Sequence, residues 1–244
     1  MQTIKLEHLK LQADSWVLDL GCGLGRHTHA VAMLSNANVV GIDINPTDVC
    51  QARNALATVA STDALNRAHW CAGDGQKLPF ANASFDAIIC SEVLEHIDVY
   101  NNFLTEINRL LKPGGNFALS VPRHWPEWLC WKLSKAYPKT PGGHIRIFRA
   151  RKLKTEVVNQ LGLKFFSHHW AHALHSPYWW LRCAFWNQGE QFWPVRTYHR
   201  LLVWDLLKKP KFTQTLERLL NPVLGKSVVM YFSKTPSVKG PNQP

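Results

Sequence analysis

Apolar residues along the first half of this chain fall into two alternating rhythms. Short runs rich in Val, Ile and Leu occupy residues 16–20, 38–44, 69–72, 85–91 and 116–121. Between them, apolar positions recur at helical spacing over residues 26–34, from Pro46 through Val49, Ala52, Leu56 and Val59, and over residues 99–111. Buried strands alternating with helices of this length predict an α/β fold, in which a parallel sheet is covered on both faces. Residues 2–12 add a short amphipathic helix at the start, and Lys112-Pro113-Gly114-Gly115 marks a turn before the fifth strand.

Beyond Pro122 the alternation loosens. Residues 149–161 read as a helix, residues 164–170 as a sixth strand, and G-K-S-V-V-M-Y-F-S near the end as a seventh. The expected whole is a doubly wound, mostly parallel seven-stranded sheet formed by residues 1–170 and 225–235. Residues 123–147 and 171–224 are expected as cap inserts, the second helical and rich in aromatics, because an insert so long needs structure of its own. Residues 236–244 read as a disordered tail.

Composition narrows the class. The 244 residues are 46% apolar and 18% charged, which suits a globular protein rather than a disordered one. No run approaches the roughly 20 apolar residues of a membrane span, and the first ten residues lack the apolar centre of a signal peptide. Six scattered cysteines form no C-x-x-C pair, so they read as reduced thiols of a cytoplasmic protein, with no metal site expected. Charge is informative once divided. Residues 1–122 hold 8 Lys and Arg against 12 Asp and Glu, a balance of −4; residues 123–244 hold 20 against 5, a balance of +15. Nine of the eleven tryptophans lie in that basic half.

Candidate chemistry begins at V-L-D-L-G-C-G-L-G-R, residues 17–26. A strand, a glycine-rich turn and a helix N-terminus together bring bare backbone near a nucleotide-like ligand. Gly21, Cys22, Gly23 and Gly25 read G-x-G-x-G rather than the dinucleotide G-x-G-x-x-G. Asp19, two residues before the first glycine, would repel a pyrophosphate and suit a cationic ligand end. Asp43, at the end of the second strand and followed by Ile44, is placed to accept ribose hydroxyls. Asp74 and Gly75 follow the third strand, where a carboxylate can accept from an adenine amine.

With the stretch D-G-Q-K-L-P-F-A-N-A-S-F-D-A-I-I-C-S-E-V-L-E-H and the later L-K-P-G-G, residues 17–121 resemble the class I S-adenosylmethionine-dependent methyltransferases. Within that class the string is most similar to the group that includes ubiquinone and menaquinone biosynthesis enzymes. The resemblance implies the Rossmann-like methyltransferase fold and S-adenosylmethionine as cofactor. It also implies roles: Asp19 and the Gly21–Gly25 loop at the methionine end, Asp43 at the ribose, Asp74 with Gly75 at the adenine, and Ile44 as a further cofactor contact. Ser91 and Glu92 would border the transferred methyl group.

Methyl transfer from a sulfonium is an in-line displacement with a neutral leaving group. The protein's main contribution is therefore alignment and water exclusion, plus a general base for a hydroxyl or amine acceptor. His96 and His144 are the candidate bases, although either could be a structural histidine. His168, His169, His172 and His175 have helical metal spacing but follow an expected strand without an intervening acid, and read as a pocket or surface feature. Gly225-Lys226-Ser227 lacks the upstream glycine of a P-loop, since Leu220 stands there. The N-P-P-Y or D-P-P-Y string of base amino-group methylation is absent, with Cys90-Ser91-Glu92 in its place.

The basic, aromatic half suggests the acceptor and its setting. Tryptophan and lysine together suit the headgroup level of a bilayer. The expected partner is thus a small lipophilic acceptor, with a peripheral location on the inner face of a membrane. Four alternatives stand beside it: aromatics that form the cap's own core, tRNA as the substrate, a catalytically silent cofactor-binding module, and an NAD oxidoreductase on a similar sheet.

Overall fold

The computed structural model describes residues 2–140 and 142–236. Seven strands form one sheet: β1 (Trp16–Leu20), β2 (Asn38–Asp43), β3 (Ala68–Ala72), β4 (Phe85–Ser91), β5 (Leu111–Pro122), β6 (Lys164–Ala171) and β7 (Ser227–Ser233). Their order is β3-β2-β1-β4-β5-β7-β6. The first five run parallel, whereas β7 pairs antiparallel with both β5 and β6. The chain therefore starts at the centre, works outward to β3, and returns to lay β4 on the other side of β1. That reversal of winding opens a crevice at the carboxyl ends of β1 and β4, where ligands of such sheets bind.

Helices α1 (Arg26–Leu34), α2 (Pro46–Ala57), α3 (Thr62–Asn66), α4 (Tyr100–Leu110), α5 (His124–Leu133) and α6 (Ala150–Leu161) accompany the strands. One face of the sheet buries Leu18, Leu20, Ile88 and Phe117 against Leu104 and Ile107 of α4 and Leu153 and Val157 of α6. The other buries Val17, Val39 and Ile89 with Val31 of α1, Leu56 of α2 and Tyr231 of β7. Strands covered on both sides explain why their sequences are runs of apolar residues rather than alternations. Proline opens α2 at its first position, and the Asn45 side chain caps it by accepting from Thr47 N–H at 3.0 Å.

Two local expectations change. The amphipathic helix over residues 2–12 is only a 3-10 turn, Leu6–Leu9, whose Leu9 and the preceding Ile4 plug the second face of the core. The turn at Lys112–Gly115 lies inside β5, where the register against β4 jumps from Phe85–Leu111 to Ala87–Asn116. Lys234 secures this excursion by exchanging backbone hydrogen bonds with Gly114 and Gly115 at 3.0 and 2.9 Å. Residues 237–244, most of the expected tail, lie outside the described residues.

The basic half contributes α5 and a run of three helices, α7 (His175–Ala184), α8 (Trp193–Lys208) and α9 (Lys211–Leu224), above one rim of the sheet. Its aromatics divide. Trp131, Trp179, Trp180 and Trp186 pack around the buried Cys130, Tyr137 and Cys183, as the cap-core alternative expects. By contrast Trp193, Leu207 and Phe212 are exposed, at 67%, 73% and 75% of their area.

Candidate active site

The β1–α1 turn is a bare-backbone cradle. Gly21, Gly23 and Gly25 all sit at positive φ, of 76°, 49° and 79°, where a side chain is strained. A Cβ on Gly21 would overlap Val93 Cγ2, while one on Gly23 would meet nothing within 4 Å. The first glycine is thus demanded by packing, and the second leaves open space at the loop surface. Cys22 is buried and its N–H is used by Ile42 C=O at 2.9 Å.

Asp43 ties this loop to the next strand. Its Oδ2 accepts from Gly23 N–H at 2.8 Å and its Oδ1 from Asn45 N–H at 2.9 Å. The carboxylate is therefore fixed at the crevice rim beside Ile44, which is 75% exposed. Asp74 is exposed and accepts from Gln76 N–H at 3.0 Å, while Gly75 is buried against Phe103. Asp19 lies one layer below the loop. It is 1% exposed, and its Oδ2 accepts from Thr28 N–H and Thr28 Oγ1–H at 2.8 and 2.7 Å. Burial pushes its pKa up to about 6. Its observed work is to lash β1 to the first turn of α1.

Across the crevice, Ser91 Oγ shares hydrogen bonds with Ser120 Oγ at 2.8 Å and His27 Nε2 at 3.2 Å. Ser120 also donates to Glu92 Oε1 at 2.9 Å. Glu92 takes φ of 57°, uncommon for a residue with a side chain, and so turns off the end of β4 into the cavity beyond. That cavity has a volume of about 610 Å³ and lies between the sheet rim and α7–α8. Arg26, Glu92, His144 and Trp179 are on its wall. Of the residues expected to bind cofactor, the structure gathers Asp19, Gly21–Gly25, Asp43, Ile44, Ser91 and Glu92 around the switch point. Asp74 and Gly75 flank it beyond β2, after β3.

The two candidate bases, 48 positions apart in sequence, come together. Their rings stand 5.0 Å apart, with His96 Nδ1 3.2 Å from Gly143 C=O and His144 Nδ1 2.6 Å from Glu127 Oε1. Each ring thus has Nδ1 engaged. Glu127, in α5, is 2% exposed and also accepts from Trp131 Nε1–H at 3.1 Å. Burial raises its carboxyl, but the hydrogen bond and charge of His144 outweigh this and hold it below the ordinary range. Beside them Glu95 is wholly buried with neither oxygen hydrogen-bonded. Burial, then the charge of Glu92, raises its pKa well above the usual carboxylate range.

Among the described residues, Glu95, His96 and His144 are the one set of donor groups close enough to hold a metal ion, all within 4.8 Å of one another. The sequence reading expects no metal and does not group these residues. His168, His169, His172 and His175 do not form such a set; His169 and His172 instead bond Thr3, at 3.1 and 2.9 Å. Sequence reasoning also misses Glu127 and Lys226, because nothing local distinguishes a carboxylate in an aromatic helix or a lysine before a strand.

The sheet order and its crevice are those of the Rossmann-like methyltransferase fold, whose methyl donor is S-adenosylmethionine. Residues 18–119 match the family model described as "Methyltransferase domain". Sterol 24-C-methyltransferase of Gibberella zeae is 34% identical over 113 residues, covering 46% of this chain and 27% of that protein. A 24-methylenesterol C-methyltransferase of Oryza sativa is 36% identical over 120 residues, 49% of this chain and 31% of that protein. The chain thus spans between a quarter and a third of the length of these two relatives. A putative methyltransferase from Bacillus halodurans shares the fold at a TM-score of 0.62 and 17% identity, with 94% and 96% of the two chains covered. The named sequence relatives belong to a different branch of the class from the quinone-modifying group that the motif string resembles.

Proposed function

We propose that this protein is a methyltransferase that moves the S-adenosylmethionine methyl group to a small lipophilic acceptor, working at an anionic membrane surface. The observation that carries the reading is the placement of one roomy cavity, about 610 Å³, against both Arg26 of the glycine loop and Glu92 at the end of β4. An acceptor there would stand next to the loop that binds the methionine end. The residues present fit the cofactor: open backbone at Gly23, a pinned carboxylate at Asp43 and an apolar side chain, Ile44, at the rim.

When bound, the cofactor supplies an electrophilic methyl on a sulfonium. The chain supplies alignment and a place for the acceptor's proton. His144 is suited to take that proton at Nε2, since Nδ1 faces Glu127 at 2.6 Å, and a carboxylate there stabilises the imidazolium that forms. Enclosure by α7 and α8 excludes water and strengthens these interactions.

Three things support a lipophilic acceptor and a membrane setting. The sequence relatives include enzymes named for sterols. The cavity has Trp179, Leu202 and Val203 among its walls. Exposed Leu207 and Phe212 sit beside Lys208, Lys209 and Lys211, the combination that inserts rings and aliphatics while ammonium groups meet anionic lipid. Among the described residues no helix is long and apolar enough to cross a membrane. Incubation with labelled S-adenosylmethionine and a fractionated lipid extract should place label in the lipid pool. Sedimentation with anionic vesicles should carry the protein down. Label in RNA, with RNA binding that falls steeply with salt and no vesicle binding, would replace this reading.

A further inference from the structure

The cavity under α7–α8 contains two cations that no carboxylate pairs directly. Arg26 donates from Nη1 to the neutral Thr3 Oγ1 at 3.1 Å, and Lys226 sits with Nζ 5.6 Å from the centre of the Trp179 ring. Among the described residues neither has an acidic partner within 4 Å, although four other arginines and lysines do. Both side chains line the same cavity although they lie 200 positions apart in sequence.

Their surroundings offset them only at a distance: the charge of Lys226 reaches Glu95 and Glu127, and that of Arg26 reaches the buried Asp19. Glu92 is the one acid on this wall, and it is held at the sheet end by Ser120. Glu217 faces His172, 3.8 Å away, and with Asp205 lines a second cavity that Arg26 also borders, yet neither acid comes within 4 Å of the guanidinium. His172 and His175 are kept neutral, first by burial and then by the positive charges around them, those of Arg26 and Lys226 included. His175 Nδ1 is buried without a hydrogen-bond partner. Thr3 accepts from Arg26 and is 2.9 Å from His172 Nε2, so the guanidinium is anchored at one nitrogen and its other donors remain free. Away from the cations the wall becomes apolar, along Leu202, Val203 and Leu206 of α8.

Two unpaired cations with an adjoining apolar wall define an amphiphile with a particular polarity. We propose that the acceptor bears an anionic head group, a phosphate or carboxylate, seated between Arg26 and Lys226, with its hydrocarbon body lying along α8. This deepens the methyltransferase reading and rests on it. A bidentate guanidinium and a point-charge ammonium together recognise an oxyanion more tightly than either alone. The polarity also sets orientation, since the charged end is fixed beside the glycine loop and the apolar end leads toward the exposed face of α8.

Calorimetry with the full chain and S-adenosylhomocysteine first reports the cofactor site. Titration of that complex with decyl phosphate, decyl maltoside and decyltrimethylammonium, each below its micelle concentration, then reports the head group. Decyl phosphate should bind about tenfold or more tighter than the other two, the increment of one charge-assisted contact. Lys226→Gln should remove most of that preference and leave S-adenosylhomocysteine affinity unchanged. Lys209→Gln, outside this cavity, should change neither. Equal binding of decyl maltoside and decyl phosphate by the unaltered protein overturns the proposal even if every variant misfolds. So does a phosphate preference that survives Lys226→Gln together with Arg26→Gln. Failure to bind S-adenosylhomocysteine would instead overturn the methyltransferase reading.

Discussion

Asp19 and Asp43 end neighbouring strands, yet the fold uses them differently. Asp43 is half-buried at the rim, with both oxygens held by backbone N–H groups. Asp43→Ala should weaken S-adenosylhomocysteine binding by about 1.5–3 kcal/mol, the worth of hydrogen bonds to a charged acceptor; unchanged calorimetric affinity would remove it from the site. Asp19 is buried, and its pKa rises from 3.8 to about 6. The folded state therefore binds this proton more tightly than the unfolded chain does. The ionised group costs stability above about pH 6, and the cost fades as pH falls from there toward 3.8. Asp19→Asn keeps an acceptor for Thr28, so it should raise Tm at pH 7 and flatten the pH dependence of stability across that interval. Thermal melts between pH 4 and 8 check this; a lower Tm at pH 7 would mean that the charge itself is required.

His144 belongs to the same scale. If it takes the acceptor's proton, His144→Ala should lower kcat by about 10²–10⁴-fold with little change in cofactor affinity, and Glu127→Gln should act in the same direction by leaving the ring unsupported. His96→Ala tests the neighbouring ring. Equal losses in all three variants, with kcat and KM moving together, would indicate a structural cluster rather than a proton acceptor.

At the scale of elements, the β1–α1 turn was legible from its glycines alone, but the reason for each was not. Gly21 is required by Val93, a residue 72 positions away. Gly21→Ala should therefore cost about 1–3 kcal/mol through positive φ and overlap, read in denaturant melts. Val93→Ala added to it should restore part of that loss, because only the overlap is relieved. The α8–α9 corner is the second element with a measurable consequence. Leu207→Glu and Phe212→Glu should weaken sedimentation with anionic vesicles while leaving calorimetric affinity for S-adenosylhomocysteine intact. Loss of both would point to unfolding, and loss of neither would place the membrane contact elsewhere. Composition showed that this region is aromatic and basic. It could not show which aromatics turn inward onto Cys130 and Cys183 and which remain outside, because that depends on how α5 meets α7.

Across the whole molecule, four histidines are held neutral inside the fold. Burial lowers His27 to about 3, His169 and His175 to about 4, and His172 well below 6.5. Each has a depressed folded pKa, so the unfolded chain takes up protons first as pH falls through 6.5. Stability is expected to be full above that value and to drop by up to about 1.4 kcal/mol per pH unit for each such histidine down to about pH 4. Melts should show Tm falling steeply from pH 6.5 to 4.5, and His27→Gln should reduce the slope. A flat profile would mean that these side chains protonate in place.

The sequence by itself determined the strand–helix alternation, the glycine turn and the aspartates at consecutive strand ends, because each is written in residues close together in the chain. It also carried the resemblance to the methyltransferases, through G-x-G-x-G and the strings that follow. Tertiary structure alone decided that β7 enters antiparallel between β5 and β6, and that His96, His144, Glu95 and Glu127 share one corner. It alone brought Arg26 and Lys226 to a common cavity. Those juxtapositions join residues 17 to 200 positions apart, and only the packing of helices over the sheet rim fixes such distances.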